Sequence, residues 1–159
     1  MKVIDIHSKS TDPVAKGLSN FAHRPFKLGP YTFASMESFL QCLKTADSVV
    51  ITKRCRLIGY AAFKDGQKDN AWKNIQILYW LGYSYQRDSN GYQELLKLAY
   101  DAQFDQNPDF AELLLKTVGR QLRHTMGKHD ARDTTLTESE YIQQLERLRW
   151  RALLAAARN

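Results

Sequence analysis

Glu37, Gln41 and Lys44 follow one another at intervals of four and three residues, and offsets of four and seven return to within about 40° of one direction on an α-helix. One helix face then presents a carboxylate, an amide and a cation. Phe33, Met36, Phe39, Leu40 and Leu43 surround that stripe, which allows Glu37 a partly apolar pocket, although periodicity alone favours the exposed face. Desolvation there raises a carboxyl pKa toward the range a general acid or base needs. The same spacing also fits an exposed helix face with an ordinary Glu-to-Lys pair. Asn20-Phe21, after Leu18-Ser19, offers an amide to a base or ribose and a ring to stack upon. A surface turn with Phe21 anchored in the core is the commoner explanation of such a pair. His124, Asp130 and Arg132 form a third group, in which a His and an Asp of one loop supply a general acid or orient a base. Their structural alternative is a helix end at His124, favoured by the helix dipole, and turn hydrogen bonds at Asp130.

The elements that must hold these residues are short and distinct. Val3 to His7 is a strand, and Pro25 to Phe33 is a hairpin around Gly29-Pro30. Ser35 caps a helix running through Ala46, and a second helix covers Asp47 to Tyr60. The spacing of Ile75, Leu78 and Tyr79 predicts a helix over Trp72 to Tyr83, ending at Gly82. Asn90 with Gln93 reads as a capping box for a helix to Phe104, and Asn107-Pro108 opens another. Thr137 with Glu140 is a capping box for a last helix carrying Tyr141, Leu145, Leu148 and Ala152 on one face. The expected fold class is α+β: one predominantly helical domain over residues 1–159 with a small N-terminal β-sheet.

With 159 residues, the chain is large enough for one core. A formal charge of +6 favours anionic partners such as nucleotides, phosphorylated metabolites or nucleic acid. Residues 1–100 hold 14 basic and 8 acidic side chains while 101–159 hold 9 of each, which places the search for a polyanion in the first part. Arg24, Lys27, Lys53, Arg54 and Arg56 are cations available for phosphate there. No apolar run approaches a membrane span or signal peptide, so a cytoplasmic location and no membrane partner are expected. Two thiols without CxxC spacing, Cys42 and Cys55, fit a reducing compartment and core packing. The histidines His7, His23, His124 and His129 show no ligand spacing, so no metal is expected.

Residues 18–44, LSNFAHRPFKLGPYTFASMESFLQCLK, resemble the opening signature of the NADAR (YbiA-like) family: Ser-Asn-Phe, a hairpin, then a helix with Glu, an aromatic, Gln and Lys. Residues 104–117, FDQNPDFAELLLKT, are similar to the family's Phe-x-Gln-Asn segment and Leu-Leu-x-Thr helix. The resemblance implies hydrolysis of an N-glycosidic bond, without a cofactor, in a phosphorylated ribosylamino-pyrimidine of riboflavin synthesis or in ADP-ribosylated guanine of nucleic acid. It makes Glu37 the leading catalytic residue, with Asn20, Phe21, Gln41 and Lys44 lining or supporting the pocket. The pattern departs in places that define a variant branch. Arg87-Asp88 stands where the family has Asn-Trp, which leaves Trp72 or Trp80 as the stacking ring. His124 replaces a Glu, Asp130 matches the family's Asp only with a one-residue slip, and a Trp-Gly is missing. Two other functions fit the same residues: a non-catalytic ADP-ribose or nucleotide sensor, and a basic nucleic-acid-binding protein. The oligomeric state is open.

Overall fold

A computed structural model describes residues 1–159. In chain order it consists of β1 (Lys2–Asp5), α1 (Pro13–Leu18), β2 (Phe26–Leu28), β3 (Tyr31–Phe33), α2 (Met36–Cys42), α3 (Ser48–Arg54), α4 (Gly59–Gly66), α5 (Ala71–Ile75), β4 (Ile77–Trp80), β5 (Tyr83–Gln86), α6 (Asn90–Gln106), α7 (Pro108–Leu115), β6 (Arg120–Arg123) and α8 (Glu138–Ala157). The strands form three two-stranded sheets. β1 pairs in parallel with β6, Lys2 opposite Arg120 through Asp5 opposite Arg123. β2–β3 and β4–β5 are antiparallel hairpins. The α+β class and its helical dominance hold, with the β-structure distributed along the chain.

Capping chemistry sets several boundaries. The Ser35 hydroxyl accepts from the Ser38 backbone N–H and the Ser38 hydroxyl reciprocates, starting α2. Thr137 and Glu140 do the same for α8. Proline opens α7 at Pro108 and α1 at Pro13. Ser89 caps α6 by accepting from Tyr92 N–H, one residue before the expected Asn90. α2 ends at Cys42, short of Ala46, and the expected 47–60 helix divides into α3 and α4. The break lies at Gly59, whose φ of +48° an L side chain rarely adopts and where a Cβ would come within 2.7 Å of the Phe21 carbonyl oxygen.

The expected helix over Trp72 to Tyr83 is absent. α5 stops at Ile75, Gln76 takes the left-handed conformation at φ 56°, and a hairpin follows. Ile77 to Trp80 alternates half-buried and buried positions, so the period is that of a strand. α1, a six-residue turn of helix capped by Asp12, and β6, whose Arg-Gln-Leu-Arg is mostly polar, are additions to the expected elements. Around these elements lies one core containing Phe33, Phe39, Leu96, Tyr100, Leu145 and Leu148. Because α2 contributes Phe39 and Leu40 to it, the polar stripe of the same helix is carried into the interior. No helix is long and apolar enough to cross a membrane.

Candidate functional site

The stripe on α2 opens into a cavity of about 570 Å³. Glu37, Gln41 and Lys44 line it together with Asn20 and Phe21 from the turn after α1, and Tyr60 and Phe63 from α4. His124 and Tyr141 close the opposite side, and Lys9, Lys73 and Lys128 add cations. Glu37 and Gln41 thus share a buried face of α2, while Lys44 falls in the turn just past its end, half-buried at the cavity.

Glu37 is 8% exposed. One carboxylate oxygen accepts from Gln41 Nε2 at 2.7 Å, and its backbone N–H donates to the Asn20 carbonyl at 3.0 Å. Burial raises its pKa above the ordinary carboxyl value; the Gln41 hydrogen bond and the Lys44 charge oppose that without reversing it. Burial acts on Lys44 in the other sense, lowering its ammonium to about 8 against the attraction of Glu37. The carboxyl and the ammonium on one face are therefore both drawn toward neutrality. Perturbed groups of this kind facing a cavity are candidates for proton transfer to a bound molecule.

The supports of this pair are specific. Asn20 accepts from the Tyr100 hydroxyl through Oδ1 at 2.8 Å, which leaves its amide N–H free to donate into the cavity. Tyr141 donates to the Leu18 carbonyl, tying α8 to the end of α1. Gln41 packs so closely on α4 that a Cβ at Gly66 would lie 1.8 Å from its Oε1. Arg54, fully buried, donates to the Gln41 carbonyl and to the carboxylates of Asp65 and Asp69. Tyr100 and Tyr141 escaped sequence reasoning, although a tyrosine on an apolar helix stripe signals a hydroxyl that needs a partner.

Several expected residues stand elsewhere. Trp72 is buried in the core, and Trp80 packs among Tyr31, Phe33 and Phe39 at ring separations of 6.3, 6.0 and 5.6 Å. Neither lines the cavity, where Phe21, Phe63 and Tyr60 form an aromatic wall opposite His124 and Tyr141. Phe63 lies 6.1 Å from Phe21 and 6.2 Å, stacked, from Tyr60. Asp130 is exposed and caps the short 3-10 turn Ala131–Asp133 by accepting from Arg132 N–H, so neither residue reaches the cavity. Arg24 is buried against Asp109 and the Gly17 carbonyl. Lys53 and Arg56 line a separate surface groove, and Lys27 is exposed outside the cavity. Arg87, at the place of the family's Asn-Trp, is buried and forms a two-pronged ion pair with Glu140. No group of three or more His, Cys, Asp or Glu side chains is placed to hold a metal ion.

Three small sheets among helices, with this cavity between α2, α4 and α8, define a protein of the YbiA fold. The NMR structure of the Escherichia coli protein YbiA matches with a TM-score of 0.65 over 99% of this chain and 89% of that one, at 19% identity. Within that architecture the chain belongs to the family of bacteriophage protein GP30.3, whose model matches residues 13–150. An uncharacterized 17.1 kDa protein from the Gp30-rIII intergenic region of enterobacteria phage T4 is 33% identical over 150 residues. That alignment covers 94% of this chain and 98% of the phage T4 protein.

Proposed function

We propose that this protein is an N-glycosidase that hydrolyses the bond between a ribose and a base in a phosphorylated ribosyl compound, of the kind the NADAR resemblance implies. The observation that carries the reading is Glu37: a buried carboxyl, held by Gln41 and facing a cavity beside Lys44. The shared fold with YbiA and the match of residues 18–44 to the NADAR signature support it.

In the reaction the C1′–N bond breaks with its electron pair leaving on the base nitrogen, and positive charge develops on the ribose. An ionised Glu37 stabilises that charge and removes a proton from the water that adds to C1′. Asn20 donates to a ribose or base oxygen, and the ring series Phe21, Phe63, Tyr60 offers the base a stacking wall. Lys9, Lys44, Lys73 and Lys128 give phosphate charge-assisted partners.

Purified protein is incubated with a ribosylamino-pyrimidine phosphate and with ADP-ribosylated guanosine, and the released aminopyrimidine or guanosine is measured. Glu37→Ala is expected to lower turnover by about 10²- to 10⁴-fold. Tight binding of both compounds with no turnover by the wild-type protein replaces this reading by that of a sensor. Binding that tracks nucleic-acid length and ignores Glu37 replaces it by that of a nucleic-acid-binding protein.

A further inference from the structure

His124 lines the same cavity as Glu37, from the strand that the N-terminus completes. Its Nδ1 lies 2.5 Å from the Ile6 carbonyl oxygen. A carbonyl only accepts, so Nδ1 carries the hydrogen and Nε2 is the nitrogen that gains or loses a proton. Nε2 makes no hydrogen bond within the protein and is not among the sealed polar atoms.

The ring is fixed on several sides. It packs edge-on against Tyr141 at 5.2 Å. A Cβ at Gly127 would come within 2.6 Å of its Cδ2, so a glycine is what allows the following turn to fold over it. The His124 backbone N–H donates to the Glu138 carboxylate at 2.7 Å, anchoring the residue to the first turn of α8. The charged and titratable groups around it are Asp5 and His7 on the β1 side, Glu138 and Tyr141 of α8, and Arg123, Lys128 and His129 along its own segment. His124 directly follows strand β6, so the helix end of its structural alternative is not found, and the residue is held instead by Ile6 on one side and Glu138 on the other.

We propose that His124 is a second catalytic residue of the cavity, donating a proton from Nε2 to the base nitrogen as the C1′–N bond breaks. The inference rests on the ribosyl-hydrolase reading. The electron pair of the broken bond captures the Nε2 proton, water supplies the oxygen bonded to C1′, and the water's proton goes to Glu37. Return of that proton through solvent to His124 restores both groups.

Two variants separate this role from a structural one. His124→Asn keeps an N–H donor for the Ile6 carbonyl and lacks Nε2, whereas His124→Gln lacks the Nδ1–H donor. The expected result is that His124→Asn melts within a degree or two of wild type and loses about 10²-fold in kcat with little change in KM. A merely structural histidine gives the opposite pattern, with His124→Asn fully active and His124→Gln impaired and less stable, and that overturns the inference. So does a nitrogen NMR spectrum of the free protein showing the neutral ring protonated on Nε2. Turnover lost in Glu37→Gln but kept in His124→Asn overturns this inference alone, while no turnover by wild type on either substrate class overturns it together with the proposed function.

Discussion

A carboxyl buried at 8% exposure on α2 and an amine pulled down to about 8 in the turn just past its end have titrations that set opposite signs on stability and activity. Glu37 has a raised pKa, so the fold prefers it protonated. Its contribution is full below the ordinary carboxyl range and is lost as pH rises through the folded-state value. Glu37→Gln should therefore melt higher than wild type at pH 7, with the difference shrinking as the pH falls into the ordinary carboxyl range in calorimetric scans. For activity, Glu37 must be ionised to act as base, which places the acidic limb of kcat/KM above the usual carboxyl range. If Lys44 serves phosphate as a cation, the alkaline limb falls near pH 8. Lys44→Arg, which keeps its proton throughout, should move that limb upward in a pH profile of kcat/KM.

At the scale of elements, the site depends on how closely α4 approaches α2. Gly66 is ordinary helix in conformation, and its need is spatial: Ala there drives a methyl into the Gln41 amide. Gly66→Ala is expected to cost about 1–3 kcal/mol and to release Gln41 from Glu37, lowering turnover more than it lowers the melting temperature. Arg54→Ala leaves Asp69 without its partner, leaves Asp65 only the exposed Lys68 and frees the Gln41 carbonyl, so a loss of about 1–3 kcal/mol is expected from denaturant titration. The starts of α2 and α8 and the proline at the head of α7 were legible because capping is a local chemistry written in adjacent residues. Trp72 to Tyr83 was not, since Ile75, Leu78 and Tyr79 satisfy helical spacing while Leu78 and Trp80 equally satisfy strand alternation. Only the tertiary fit of Trp80 among Tyr31, Phe33 and Phe39 decides between the two. β6, with the sequence Arg-Gln-Leu-Arg, has too little apolar pattern to be seen without its partner β1. For the same reason the Glu37 triplet could be read from the sequence, whereas the Tyr60–Phe63 wall, brought in by a neighbouring helix, could not.

Over the whole molecule, the charge surplus divides into cations that hold the fold and cations that remain available. Arg24, Arg54 and Arg87 are buried and paired with carboxylates, while Lys9, Lys44, Lys73 and Lys128 face the cavity. If all four lysines contact phosphates of a nucleic-acid substrate, KM should rise about 10²-fold between 50 and 200 mM salt, against a shallow rise for a mononucleotide-sized compound. Steady-state kinetics on the two substrate sizes measure the difference. The pairing of β1 with β6 also bears on time. Ile6 and His124, 118 residues apart, meet across one cavity wall, and such a distant contact closes late because a long loop must be ordered first. A chain still emerging from the ribosome carries Glu37 long before it has made His124, so the cavity is completed only after most of the protein has been synthesised.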